Sequence, residues 1–274
     1  MTVLVSAADL LADGGRVVLL DVRWALGDDR GREKYLAGHL PGAVFVDLET
    51  ELADPPTAAE GRHPLPSLQR LQACARRWGI RDGEAVVAYD ATGGLAAARA
   101  WWLLRWGGLT DVRLLDGGLD AWRAAGGELE TGDVVPAPGD VTLAGGGMPV
   151  LSIDEAAALP GAGGVLLDAR AGERYRGELE PIDPRAGHVP GAVSAPTTEN
   201  LAIDGRFRPA AELSERFAAL GAEPGATVGV YCGSGVTAAH EVAALAEAGI
   251  EAALWPGSWS QWSSDPDRPA ATGS

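Results

Sequence analysis

The chain contains two cysteines, Cys74 and Cys232, in very different surroundings. Cys232 follows the apolar run Val228-Gly229-Val230-Tyr231 and opens the segment Cys232-Gly233-Ser234-Gly235-Val236-Thr237-Ala238, which leads into a helical pattern. A residue just beyond the C-terminal end of a strand, before a loop and a helix, lies at the edge where open α/β sheets bind ligands. Gly233 and Gly235 allow backbone conformations that turn successive N–H groups inward, and the start of the next helix adds partial positive charge. Both effects favour thiolate over thiol, the minor form at neutral pH for an unperturbed cysteine of pKa about 8.5. Cys232 is therefore expected to be a nucleophile, where a cysteine without such a loop would read as a small buried hydrophobe. Cys74 is that contrasting case. It stands mid-helix in Leu71-Gln72-Ala73-Cys74-Ala75, has no glycine loop, and reads as packing.

The elements that must position Cys232 occur twice. Val17 to Arg23 reads VVLLDVR and is followed by Lys34-Tyr35 and Gly38-His39-Leu40-Pro41-Gly42-Ala43-Val44. Val165 to Arg170 reads VLLDAR and is followed by Arg174-Tyr175 and Gly187-His188-Val189-Pro190-Gly191-Ala192-Val193. Val86-Val87-Ala88-Tyr89 matches Val228 to Tyr231, and Leu115 to Trp122 matches Trp255 to Trp262. Matching blocks in the same order make the chain two copies of one domain. Each copy alternates short apolar strands with helical patterns, which indicates an α/β fold with a mainly parallel sheet flanked by helices. In the second copy strands are expected over 164–168, 227–231 and 252–255, with helices over 210–220 and 238–248. In the first, a helix over 95–106 puts Trp102 and Trp106 on one face. Residues 131–149, rich in Gly and Pro without periodicity, read as a linker between domains at 1–130 and 150–274. The tail from Ser264 reads as frayed.

Composition narrows the function. A net charge of −16 argues against sequence-independent nucleic-acid binding and against attraction to an anionic membrane. No apolar run reaches the length of a membrane span, and residues 1–10 lack the basic start and apolar core of a secretion signal. Two dissimilar cysteines are no disulfide framework, so a reducing cytoplasm is expected. No Cys or His pair has zinc-ligand spacing, and neither metal nor organic cofactor is expected. Cysteine phosphatases share the strand–loop–helix logic but carry a phosphate-binding arginine six positions after the cysteine; Ala238 stands there.

The Cys-Gly-Ser-Gly-Val-Thr loop, the paired Gly-His-Leu/Val-Pro-Gly-Ala blocks and the Asp-Gly-Gly-Leu and Pro-Gly-Ser-Trp blocks resemble the tandem-domain rhodaneses, over nearly the whole chain. The resemblance implies two rhodanese-like domains: a catalytic C-terminal one and an N-terminal one without the cysteine, Asp90 standing in its place. It implies a sulfurtransferase that carries sulfur on Cys232 as a persulfide, passing it from a small-molecule donor to cyanide or a thiol such as a thioredoxin-like protein. A non-catalytic binding module is the rival reading, and it suits the first copy alone. Thiosulfate-preferring members have two cations in the loop, whereas the neutral loop here resembles the 3-mercaptopyruvate branch. The preferred donor is thus expected to be 3-mercaptopyruvate, with thiosulfate as the alternative. Arg174, in Arg174-Tyr175-Arg176-Gly177, matches the arginine that holds the donor's anionic group. A second arginine of that branch falls here on Ile182 or Asp183, and Arg185 is the nearby substitute. The other donor-binding positions implied are the loop residues Gly233, Gly235, Val236 and Thr237. The branch also has a serine–histidine–acid proton relay, matched by Ser234 and by His63 of Arg62-His63-Pro64-Leu65-Pro66, with Glu49 or Asp47 as the acid. His39 and His188, present in both copies, are expected to serve the fold.

Overall fold

The computed structural model describes residues 2–14 and 17–274. By their contacts these form two compact units: 1–54 with 66–148 and 203–207, and 55–65 with 149–202 and 208–274.

The first unit is a five-stranded, fully parallel sheet in the order β1-β5-β4-β2-β3. The strands are β1 (Leu4–Val5), β2 (Val18–Asp21), β3 (Val44–Phe45), β4 (Val86–Tyr89) and β5 (Val112–Leu115). Around it lie α1 (Ala7–Asp13), α2 (Gly31–Ala37), α3 (Leu48–Glu51), α4 (Leu68–Arg77), α5 (Ala97–Trp106) and α6 (Gly118–Ala124). Every residue of β4 is buried, as its unbroken apolar run requires of a strand covered on both faces. In α5, Trp101 and Trp102 are fully buried, and the rings of Trp102 and Trp106 stack 6.2 Å apart. Burial of each such side chain stabilises the unit by about 1.5–3 kcal/mol.

The second unit repeats the plan with four parallel strands in the order β7-β6-β8-β9. These are β6 (Val165–Asp168), β7 (Val193–Ser194), β8 (Val228–Tyr231) and β9 (Ala252–Leu254); Val150 adds an isolated parallel bridge to Leu254 where the first unit has β1. The helices are α7 (Ile153–Ala158), α8 (Gly172–Tyr175), α9 (Ala210–Ala219), α10 (Thr237–Glu247) and α11 (Ser258–Ser264). A Ser152–Glu155 capping box starts α7. The strands and helices read from the second copy are all present, within a residue or two of their expected ends.

The repeated blocks are structural in both units. His39 Nδ1 pairs with the Tyr35 carbonyl at 2.9 Å and His188 Nδ1 with that of Tyr175 at 2.8 Å, each ring stacked on its tyrosine. The Tyr35 and Tyr175 hydroxyls donate to the Ala43 and Ala192 carbonyls. Asp21 pairs with Arg23 and Asp168 with Arg170, and each arginine also donates to the carbonyl of the glycine before the histidine, Gly38 or Gly187.

Two segments differ from the sequence reading. Residues 131–148 have irregular backbone but pack on the first unit. Val141 and Leu143 are buried, and the N–H groups of Gly139 and Ala144 donate to the Arg76 and Gly107 carbonyls. The tail is tied down rather than frayed. Ala271 and His188 exchange both backbone hydrogen bonds, the Trp262 indole donates to the Pro269 carbonyl, and Gly273 N–H donates to the Arg176 carbonyl. Periodicity is blind to both, because their partners lie far away in sequence. Among the described residues no helix is long and apolar enough to cross a membrane.

Candidate active site

Cys232 lies at the C-terminal end of β8, buried at 1% exposure. Its sulfur accepts the N–H of Gly235 at 3.1 Å. Gly235 has φ +76°, and a Cβ there would fall 2.5 Å from the Pro256 carbonyl oxygen, so the turn that aims this N–H at the sulfur requires glycine. Val236 is buried and precedes α10, which Thr237 begins. The other side of the loop is held by α11. Trp259 N–H donates to the Cys232 carbonyl at 3.0 Å and Ser260 N–H to that of Gly233 at 2.9 Å. Ser258 is the one non-glycine residue with positive φ among the described residues, +54°, and its Oγ accepts the Cys232 N–H at 3.1 Å. Cys74 is also buried, but lies inside α4, and burial pushes its thiol pKa up.

The segment 55–65 packs with this unit. Gly61, at φ +90°, has no room for a side chain against the Gly257 carbonyl and Ser260 Oγ. Arg62 N–H donates to Ser260 Oγ, and the Gln261 amide donates to the Ala59 carbonyl. The next residue, His63, is buried, and its Nδ1 lies 2.7 Å from Ser234 Oγ. The structure thus brings His63 against Ser234 of the Cys232 loop. Of the two acids considered for His63, Asp47 caps α3, accepting the N–H groups of Glu49 and Thr50, and Glu49 accepts the Trp24 indole N–H at 2.7 Å.

Two guanidinium groups flank the loop. A Cβ on Gly233 would lie 3.0 Å from Arg62 Nη2 and 3.4 Å from Arg174 Nη1. Arg174 pairs with Glu180 at 2.7 Å and Asp183 at 3.2 Å, and Arg62 forms a very short pair with Asp183. Burial raises the Asp183 carboxyl pKa, against the opposing pull of Arg62 and Arg174. A loop that is neutral in sequence thus has two cations beside it, each paired with a carboxylate. Arg62 was not among the expected site residues; its adjacency to His63, in a segment with no counterpart in the second repeat, was the available signal.

Arg185 is a correction. Its guanidinium donates to the backbone carbonyls of Trp262, Ser263, Asp265 and Arg268, where it closes the C-terminal end of α11 and holds the tail. A side chain committed to four carbonyls is a structural clamp, not a donor ligand. Arg176 is exposed and pairs with Glu178. His240 is fully buried, with Nδ1 2.7 Å from Thr197 Oγ1.

The family profile of the rhodanese-like domain matches this chain twice, over residues 5–125 and 152–265. The chain belongs to the rhodanese family. This rhodanese is 52% identical to a Mycobacterium tuberculosis protein that carries the name thiosulfate sulfurtransferase SseB, over 99% of this chain and 97% of that one. It is 49% identical to a Pseudomonas aeruginosa protein named as a 3-mercaptopyruvate sulfurtransferase, over 94% and 93% of the two chains. Among solved structures, SseA of Escherichia coli, described as a 3-mercaptopyruvate sulfotransferase, matches with a TM-score of 0.84 at 32% identity. That match covers 95% of this rhodanese and all of SseA.

Proposed function

We propose that this rhodanese is a sulfurtransferase in which Cys232 carries the transferred sulfur as a persulfide, with catalysis in the second copy (150–274) completed by residues 55–65. The first copy (1–130) is non-catalytic, with Asp90 in the place of the cysteine. The observation that carries the reading is the Cys232 sulfur under the Gly235 N–H, with the Arg174 and Arg62 guanidiniums beside Gly233 and His63 against Ser234 of the same loop.

The Cys232 thiolate attacks the outer sulfur of an anionic donor whose charged group lies on Arg174, a planar fork suited to a carboxylate or sulfonate. With 3-mercaptopyruvate the C–S bond breaks and its electron pair stays on carbon as the enolate of pyruvate. The Ser234–His63 pair passes the proton that this carbon takes up. With thiosulfate the S–S bond breaks and sulfite leaves. The persulfide is stabilised by the loop N–H groups until an acceptor thiolate, or cyanide, attacks its outer sulfur and restores the Cys232 thiolate. A thioredoxin-like dithiol in a reducing cytoplasm is the proposed acceptor. The neutral loop favours 3-mercaptopyruvate as the better donor. Thiosulfate is the second reading, favoured by the two cations that flank Gly233.

Incubation with either donor should add the mass of one sulfur atom to the peptide containing Cys232 and not to that containing Cys74. Cys232→Ser should lose all turnover while keeping the fold; wild-type turnover in that variant would refute the reading.

A further inference from the structure

Asp183 stands where its carboxylate meets both guanidiniums beside the Cys232 loop. Its side chain is 3% exposed, that of Arg62 27% and that of Arg174 15%. The surrounding network holds Arg62, Arg170 and Arg174 against Asp168, Glu180 and Asp183, three charges of each sign. A donor anion entering such a set meets no net positive charge. Glu180 cannot easily give way, because its carboxylate also accepts the N–H groups of Ile182 and Asp183. The hydrogen bonds that Asp183 makes through its carboxylate go to the two guanidiniums, and it lines a cleft of about 290 Å³ shared with Arg62, Ile182, Pro184 and Ser260.

We infer that Asp183 is a built-in stand-in for the donor's anionic group, holding Arg62 and Arg174 in the free enzyme and swinging into the adjacent cleft when a donor replaces it. The inference rests on the sulfurtransferase reading and adds Arg62 and Asp183 as the pair that sets donor preference by charge. The exchange keeps the guanidiniums paired at every stage, which avoids the cost of a partly buried unpaired charge. Because burial already disfavours the Asp183 carboxylate, release of that carboxylate into the solvent-open cleft costs little. Displaced into the adjacent cleft, the Asp183 carboxylate stays close to the bound donor and repels it, the more so the more charge the donor carries. The device therefore discriminates most strongly against the dianion thiosulfate and least against the monoanion 3-mercaptopyruvate.

Steady-state kinetics with both donors on Asp183→Asn, Arg62→Gln and the double variant test this. Asp183→Asn should lower the KM for thiosulfate at least about threefold and that for 3-mercaptopyruvate less, with kcat little changed. Arg62→Gln should raise both KM values, and in the double variant the gain from Asp183→Asn should vanish. An unchanged or raised thiosulfate KM in Asp183→Asn would overturn the inference, since Asp183 would then be a support for the guanidiniums and not their occupant. Asp183→Ser carries the same expectation should the asparagine variant not fold. Mass measurement of the Cys232 persulfide keeps the two claims apart. Persulfide formation with an unmoved KM removes only the stand-in, whereas its absence in the wild type removes the sulfurtransferase reading.

Discussion

Beyond β4, the N–H groups of Thr92, Gly94, Ala96 and Ala97 all donate to the Asp90 carboxylate, at 2.8 to 3.0 Å. Beyond β8, at the same place in the second copy, the Gly235 N–H donates to the Cys232 sulfur. The surroundings repeat as well. Leu119 N–H donates to the Asp90 carbonyl as Trp259 N–H does to that of Cys232, and Gly118 and Ser258 share a φ near +55°. One strand–loop–helix design therefore turns backbone N–H groups inward in both copies, those of Thr92, Gly94, Ala96 and Ala97 in the first and that of Gly235 in the second. The first copy meets these donors with a carboxylate of its own, which stabilises the loop. The second puts a sulfur there, whose charge and bonding can change during a reaction.

The comparison breaks first at the glycine that turns the loop. Gly235→Ala forces a Cβ against the Pro256 carbonyl and should cut sulfur transfer about a hundredfold or more. Gly118→Ala would meet the Asp90 carbonyl oxygen at 2.4 Å, yet should cost thermal stability with no change in the kcat of the folded fraction. Equal activity losses in the two variants would show that the copies are not functionally distinct. Asp90→Ala leaves four N–H donors without their carboxylate, and a denaturant melt should show a loss of about 2–3 kcal/mol. Asp90→Cys should not take up sulfur, because Ala91-Thr92-Gly93-Gly94 does not reproduce the Gly-Ser-Gly-Val loop; a persulfide at position 90 would refute this. His63→Gln should lower turnover with 3-mercaptopyruvate at least about tenfold and with thiosulfate less, because sulfite leaves without a proton on carbon. Losses of equal size with both donors would reject the proton relay. The smallest effect belongs to Ser258→Gly, which relieves a left-handed backbone and removes the acceptor of the Cys232 N–H. Its net change in stability should stay within about 1 kcal/mol.

What was legible in the sequence follows the range of the interactions. The repeat, the strands and the Cys232 loop are local patterns, and each could be read from neighbouring residues. The structural role of His39 and His188 was also legible, because each recurs with its tyrosine in both copies. Arg185 was misread because spacing along a loop does not say where a long side chain points; its partners are some 77 to 83 residues away. Arg62 was passed over for the same reason, since its partner Asp183 lies 121 residues further on. Arg174 was expected beside the loop, but only the fold showed that Arg62 is the second cation there and that Asp183 and Glu180 pair with the two.

The placement of residues 55–65 with the second unit has a consequence in time. His63 and Ser234 are 171 residues apart, and Gln261 meets Ala59 across 202. Contacts this distant cannot form until Ser234 and α11 have been synthesised, long after segment 55–65 itself. The first sheet can close before the pocket around the nucleophile, which waits until segment 55–65 finds a partner that did not exist at its own synthesis. A ribosome-bound chain stalled before α11 would carry Cys232 without Ser258 at its amide or the α11 support of its loop.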